Sequence, residues 1–181
     1  MKNQIKKIII CFITVSCLFS CSNNKKDLTG KWEMSRTIKT ELRYAPDDPT
    51  AVFGYFYMKQ IIQYDFSENK YCKTIEQKFI RTEFIGGPDF LTDEQKADIE
   101  NSLSSMNSIY VIKGDFTQKS NSILFNPLTC SKDGIEETFA EACKKDQKLE
   151  AHAKASKYSF KNDELIISDE VGNPGHFKIC E

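Results

Sequence analysis

The sequence predicts a mainly β protein, either an antiparallel β-barrel or a strongly curved antiparallel sheet, with two inserted or flanking α-helices. Seven or eight short runs alternate between apolar and polar residues, as half-buried strands do. Short polar turns join consecutive runs, which places the strands in hairpin order. Two other segments have helical spacing instead. The 181 residues suffice for one ordinary domain.

The N-terminus has the features of an export signal. Lys2, Lys6 and Lys7 precede an apolar run over residues 8–19. That run is shorter than the roughly 20 residues a spanning helix needs. We therefore expect residues 1–20 to be a signal peptide and the mature protein to be exported.

The charge of the mature chain argues against nucleic-acid binding. Removing residues 1–20 takes away three lysines and no acid, which leaves 22 basic and 26 acidic residues and a net charge of −4. Proteins that bind phosphate backbones instead carry a basic patch.

The first two strands are predicted at residues 28–38 and 53–66. In the first, Trp32, Met34 and Ile38 share one parity, and Arg36 is the exception on that face. In the second, one face carries a polar residue among apolar ones: Phe56, Met58, Gln60, Ile62, Tyr64 and Phe66. A polar turn at residues 67–70 leads back into residues 71–80, which predicts a β-hairpin.

A helix is predicted near residues 91–106 and another near 134–155. In the first, Thr92 is the N-cap and Gln95 completes a capping box; its apolar stripe is Ile99, Leu103 and Met106. In the second, Asp133 is the expected cap, with Glu136 at the capping-box position. Its apolar face would carry Ile135, Phe139, Ala142, Cys143, Leu149 and Ala153.

Further strands are predicted at residues 108–117, 122–130, 158–160, 165–169 and 176–180. Tyr110, Ile112 and Phe116 share a face of the first, and Gly114 lies where a strand can bend or bulge.

The segment Leu18-Phe19-Ser20-Cys21 resembles the lipobox of bacterial lipoproteins. The resemblance implies that Cys21 is lipidated, that residues 21–27 are a short tether, and that the protein is anchored to the bacterial cell membrane or outer membrane. Two or more acyl chains hold a protein durably on a bilayer. The alternative is a plain secretory signal with an incidental cysteine.

The segment Leu28-Thr29-Gly30-Lys31-Trp32 resembles the Gly-X-Trp signature that opens the first strand of lipocalins. The last strands, with Tyr158 and Phe160, resemble the final hairpins of bacterial lipocalin-like lipoproteins. The resemblance implies a lipocalin-like barrel over residues 28–181, with Gly30 and Trp32 as structural residues and the tryptophan packed across the closed end.

Four cysteines remain after Cys21: Cys72, Cys130, Cys143 and Cys180. An even number in an oxidising compartment suggests two disulfides, with three possible connectivities. We expect Cys130–Cys143 as a local closure, and Cys72–Cys180 as a tie between strands. The latter is similar to the lipocalin bond from the C-terminal region to a middle strand.

The sequence predicts no enzyme, cofactor or metal site. His152 and His176 are the only histidines, and we interpret both as surface residues; their spacing is not that of metal ligands. The interior of the barrel is either packed or hollow. If it is hollow, the candidate lining is Phe56, Met58, Tyr64, Tyr110, Ile112 and Phe116. The expected function is binding of a small apolar, lipid-like ligand; the alternative is binding of an envelope protein through the inserted helix.

Overall fold

A computed structural model of the chain describes residues 27–44, 52–85, 91–168 and 172–180. The expected signal peptide, the lipidation site Cys21 and the tether as far as residue 26 lie outside these ranges.

Nine strands make up most of the described chain. They are β1 (Gly30–Arg43), β2 (Val52–Ser67), β3 (Lys70–Phe84), β4 (Ser108–Lys119), β5 (Ser122–Lys132), β6 (Ile135–Thr138), β7 (Ala155–Lys161), β8 (Glu164–Ser168) and β9 (Pro174–Ile179). The helices are α1 (Asp93–Ser104), α2 (Phe139–Lys145) and a 3₁₀ helix (Gln147–Ala153).

Eight of these strands close into an antiparallel barrel. Their order is β4-β3-β2-β1-β9-β8-β7-β5, and β5 pairs back with β4 to complete the ring. The short β6 adds to the part of β5 that β7 does not cover. Within the ring, closure leaves no free sheet edge, and the predicted barrel is confirmed.

One end of the barrel is filled by apolar and aromatic side chains. Trp32 is buried there, and its indole Nε1–H donates to the Leu28 carbonyl oxygen at 2.8 Å. Phe66, Ile112 and Leu165 are at most 1% exposed. This end is a close-packed core of the kind that protein interiors share.

Gly114 sits at a register shift between β4 and β5. A Cβ atom there would lie 2.2 Å from the Asn126 carbonyl oxygen and 2.7 Å from the Pro127 Cα. Only glycine allows the two backbones to approach this closely, so the predicted bend position has a steric cause.

Beyond the ring, β1, β2 and β3 continue as a three-stranded ribbon. The inward parity of β2 continues there through Met58 and Phe56, and Phe56 pairs with Thr82 on β3. The Thr82 hydroxyl donates to the Glu100 carboxylate of α1. Helix α1 therefore lies over the inner face of the ribbon and buries Leu103.

The first helix forms where it was predicted. The Thr92 side chain accepts a hydrogen bond from the Gln95 backbone, and the Gln95 side chain accepts one from the Thr92 N–H. The capping box therefore fixes the start of α1.

The predicted helix over residues 134–155 is wrong at its start and in its continuity, because residues 135–138 form β6 and the helical residues divide into α2 and the 3₁₀ helix. Asp133 and Gly134 both have positive φ, 51° and 88°, and they form the turn between β5 and β6. An Asp-Gly pair favours such a two-residue hairpin turn, so Asp133 does not cap a helix. Thr138 caps α2, and Asp146 caps the 3₁₀ helix that follows.

The predicted disulfides are not formed: Cys72, Cys130, Cys143 and Cys180 are free thiols. The strand register explains the failure of Cys72–Cys180. The Cys180 N–H donates to the Lys31 carbonyl oxygen, Lys31 pairs with Asp65, and Asp65 pairs with Cys72. The two cysteines are thus three strand spacings apart, about 14 Å, whereas a disulfide needs Cα atoms within about 7 Å.

The expected Cys130–Cys143 bond is also absent, although both residues border the same core. Cys130 is buried on β5, and Cys143 of α2 packs against the core cluster. Burial raises the pKa of both thiols, which keeps them protonated at neutral pH.

Candidate ligand-binding site inside the barrel

The barrel interior is hollow towards the end opposite the packed core. A cavity of about 340 Å³ adjoins a second of about 600 Å³ beneath the turn that follows α1. Both are lined by Arg36, Ile62 and His152. Volumes of roughly 300–1,000 Å³ are typical of sites for small molecules.

The smaller cavity, which we call the inner cavity, has a mainly apolar wall. Strands β1, β2, β8 and β9 supply that wall because their inward positions carry large apolar side chains. These are Met34, Ile62, Tyr64, Ile167 and Phe177. Such a wall suits the apolar part of a small ligand.

Lys73 places a cation on this wall. It lies on β3 between the inward residues Tyr71 and Ile75, and it pairs with Tyr64 and Ile112 on the neighbouring strands. Its Nζ is 4.9 Å from the centre of the Tyr64 ring. Burial lowers the pKa of Lys73 to about 8, because desolvation disfavours the charged ammonium.

His152 of the 3₁₀ helix closes over Lys73. The two side chains meet at 3.1 Å between Lys73 Nζ and His152 Nδ1. Burial, with the nearby Lys73 charge, lowers the pKa of His152 to about 4. The imidazole is therefore neutral at pH 7, with Nδ1 accepting from the ammonium and Nε2 carrying the proton.

The interpretation of His152 as a surface residue is wrong. The expected continuous helix is broken at Asp146, and the 3₁₀ turn that follows rotates the histidine inwards. His176 does lie at the surface, where its Nδ1 is 3.2 Å from a Glu164 carboxylate oxygen.

Arg36 and Gln60 form a polar pair beside the two cavities: Arg36 lines both, and Gln60 lines the larger one. We call the exposed position of Arg36 the mouth of the site. The Arg36 Nε–H donates to the Gln60 Oε1 at 2.9 Å. Arg36 is exposed, whereas Gln60 is buried. This hydrogen bond holds the guanidinium beside the cavities and gives the buried Gln60 amide oxygen a donor.

The six residues proposed as pocket lining divide among four places. Tyr64 lines the inner cavity, and Tyr110 lines the larger one. Ile112 is fully buried in the core, and Phe116 packs edge-on against Phe66 at 5.1 Å. Phe56 and Met58 lie on the ribbon beyond the ring.

The polar members of the site were visible as exceptions in the sequence pattern. Arg36 and Gln60 interrupt the inward faces of β1 and β2, and Lys73 interrupts that of β3. Each breaks the alternation at a position where strand parity demands an inward side chain. Only His152 had no such signal, because its helix was predicted with the wrong boundaries.

Within the ranges that the structure describes, no group of three or more histidine, cysteine or acidic side chains could hold a metal ion. In those same ranges, no helix has both the length and the apolar character needed to cross a bilayer.

No protein-family model matches the chain, and no curated protein sequence matches it.

Proposed function

We propose that this chain is an exported, lipid-anchored bacterial envelope protein whose lipocalin-like barrel binds a small apolar molecule. The observation that carries the proposal is the hollow interior, with its apolar wall facing the inner cavity. A barrel whose only role was structural would gain stability by filling this space, since empty apolar volume costs packing energy.

The division of the barrel supports binding rather than simple incomplete packing. The interior is packed around Phe66 and hollow around Ile62, although both residues have the same parity on β2. Helix α1 and the 3₁₀ helix flank the hollow end. They would shield a bound molecule from water while leaving the mouth at Arg36 accessible.

The anchoring part of the proposal rests on Leu18-Phe19-Ser20-Cys21. Lipidation at Cys21 would hold the binding domain next to a membrane, where apolar ligands are concentrated. Metabolic labelling with a radioactive fatty acid should mark the wild-type chain and not Cys21→Ala. Equal labelling of both would contradict the anchor.

Ligand binding is tested with residues 21–181 carrying Cys21→Ala, the expected mature chain, which lacks both the apolar signal segment and the lipid. We expect it to raise the fluorescence of the neutral apolar probe N-phenyl-1-naphthylamine. Ile62→Trp, which fills the cavity, should abolish this uptake. Ile61→Trp is the matched control, because Ile61 is the adjacent residue of opposite parity on β2.

Two results would overturn the binding function. The first is the absence of binding of the probe, of decanoate and of decyl phosphate, together with the absence of any apolar compound in organic extracts of the purified protein. The second is equal uptake by the Ile62→Trp and Ile61→Trp proteins.

A further inference from the structure

The lining of the inner cavity carries positive charge that no acidic residue of the same lining balances. Its lining residues include Arg36 and Lys73 but no aspartate and no glutamate. His152, the third basic residue of the lining, is neutral at pH 7. The cavity is therefore cationic as well as apolar.

Lys73 has no carboxylate partner among the described residues. Its polar contact is with the His152 Nδ1, and desolvation is the effect that shifts its pKa. The Asp146 carboxylate, whose charge acts on His152, accepts a hydrogen bond from the Lys148 N–H and makes no ion pair with Lys73. A partly buried ammonium normally finds a counter-charge, because its desolvation is costly.

Arg36, at the mouth, is a second cation without a carboxylate partner among the described residues. Its contact within the described chain is the neutral Gln60 amide, and no salt bridge joins it to an acid in those ranges. Two of its guanidinium nitrogens thus remain for a ligand, and a guanidinium favours planar anions such as carboxylates.

We infer that the ligand is an amphiphile with an acidic head group, which binds the Lys73 ammonium beside His152, while its apolar chain packs along Met34, Ile62 and Phe177. Arg36 is the second cation, attracting the anion at the mouth. The inference rests on the proposed function and specifies the chemistry of its ligand. The shared chemistry is the negative charge of a carboxylate or a phosphate monoester.

The test compares ligands of equal chain length by displacement of N-phenyl-1-naphthylamine from residues 21–181 carrying Cys21→Ala. The competitors are decanoate, decyl phosphate, decanol and decylammonium. At pH 7 we expect at least one of the two anions to displace the probe at a concentration about tenfold below that of decanol, and decylammonium to be weakest. A tenfold difference corresponds to about 1.4 kcal/mol. The tighter of the two anions identifies the head group.

Substitutions of Lys73 and Arg36 test whether these two cations cause the preference for anionic ligands. Lys73→Met retains the length and apolar stem of the side chain, and it should reduce anion affinity about tenfold without changing decanol affinity. Arg36→Gln should produce a smaller loss, because Arg36 is exposed. Lys59→Met is the matched control: Lys59 is an exposed lysine on the outward parity of β2, and its removal should leave all affinities unchanged. Thermal unfolding of each variant verifies folding.

The possible failures are distinguishable. If the probe binds but decanol competes as well as both anions, or if the anion preference survives in Lys73→Met, the acidic head group is wrong and the apolar site stands. If the probe does not bind, calorimetric titration with decanoate and decyl phosphate decides. Binding of either that is lost in Lys73→Met supports the inference, and binding of neither overturns it together with the proposed function.

Discussion

The two ends of the barrel are built from the same strands, yet one is packed and the other is hollow and carries two inward cations. At the packed end, aromatic rings fill the interior: Tyr71 lies 4.9 Å from Phe125, and Phe66 lies 5.1 Å from Phe116 between ring centroids. At the hollow end, inward positions carry Arg36 and Lys73. Inward parity therefore does not decide whether a barrel is filled; the volume and charge of the inward side chains do.

This comparison implies a division of labour. The packed end supplies stability through burial of apolar area, and the hollow end supplies a site by giving up some of that stability. Substitutions should separate the two roles, with large losses of stability at the packed end and small or even favourable changes at the hollow end.

The largest effect is expected for Phe66→Ala. Phe66 is 1% exposed and packs against Tyr64, Phe116 and Phe125. Its truncation should lower the free energy of unfolding by about 3–5 kcal/mol, as measured by urea denaturation. Ile135→Ala is the control, since Ile135 is 78% exposed, and it should change stability by less than about 0.5 kcal/mol. A loss below 1 kcal/mol for Phe66→Ala would place the core elsewhere.

Trp32→Phe should have the next largest effect. The phenyl ring retains most of the buried area but cannot donate to the Leu28 carbonyl oxygen, which the indole does at 2.8 Å. The unpaired buried carbonyl should cost about 1–3 kcal/mol. Urea denaturation measures the loss, and a variant as stable as the wild type would show that the indole donor contributes nothing to closing this end.

His152 predicts a pH dependence at the hollow end. Its pKa falls from 6.5 to about 4 on folding, so the unfolded chain binds a proton between these values that the native state does not. Stability should therefore fall as the pH falls from 6.5 to 4. After allowance for partial exposure, the contribution is about 1–2 kcal/mol. His152→Gln should lose this part of the dependence. Parallel stability curves for the two proteins across this range would argue against a buried neutral imidazole.

The smallest effect, and one of opposite sign, is expected for Lys73→Met. The pKa of Lys73 falls from 10.5 to about 8 on folding, so folding is penalised most below pH 8 and the penalty disappears above pH 10.5. At pH 7 Lys73→Met should raise the thermal unfolding midpoint by about 2–4 °C. The gain should shrink towards pH 10. A lowered midpoint at pH 7 would show that the ammonium stabilises the free protein.

Much of the fold followed from local patterns. The alternation of Trp32 and Met34, the turn before Lys70 and the capping box of Thr92 and Gln95 each depend on residues close together in the chain. The second helix failed for an equally local reason, because the Asp133-Gly134 turn was given the role of a helix cap. The predicted Cys72–Cys180 disulfide failed for a non-local reason, since the order of the strands decides which cysteines lie close together.

The sequence by itself determined that strands pair in hairpin order, which faces turn inwards, and that polar residues interrupt those faces at Arg36 and Gln60. Only the tertiary structure decided that β4 pairs with β5 to close the ring, and that His152 meets Lys73 across 79 residues of chain. Side-chain parity is a property of each strand's own backbone. The contents of the barrel depend instead on strand order, register and the direction of a 3₁₀ turn, which arise from packing between distant segments.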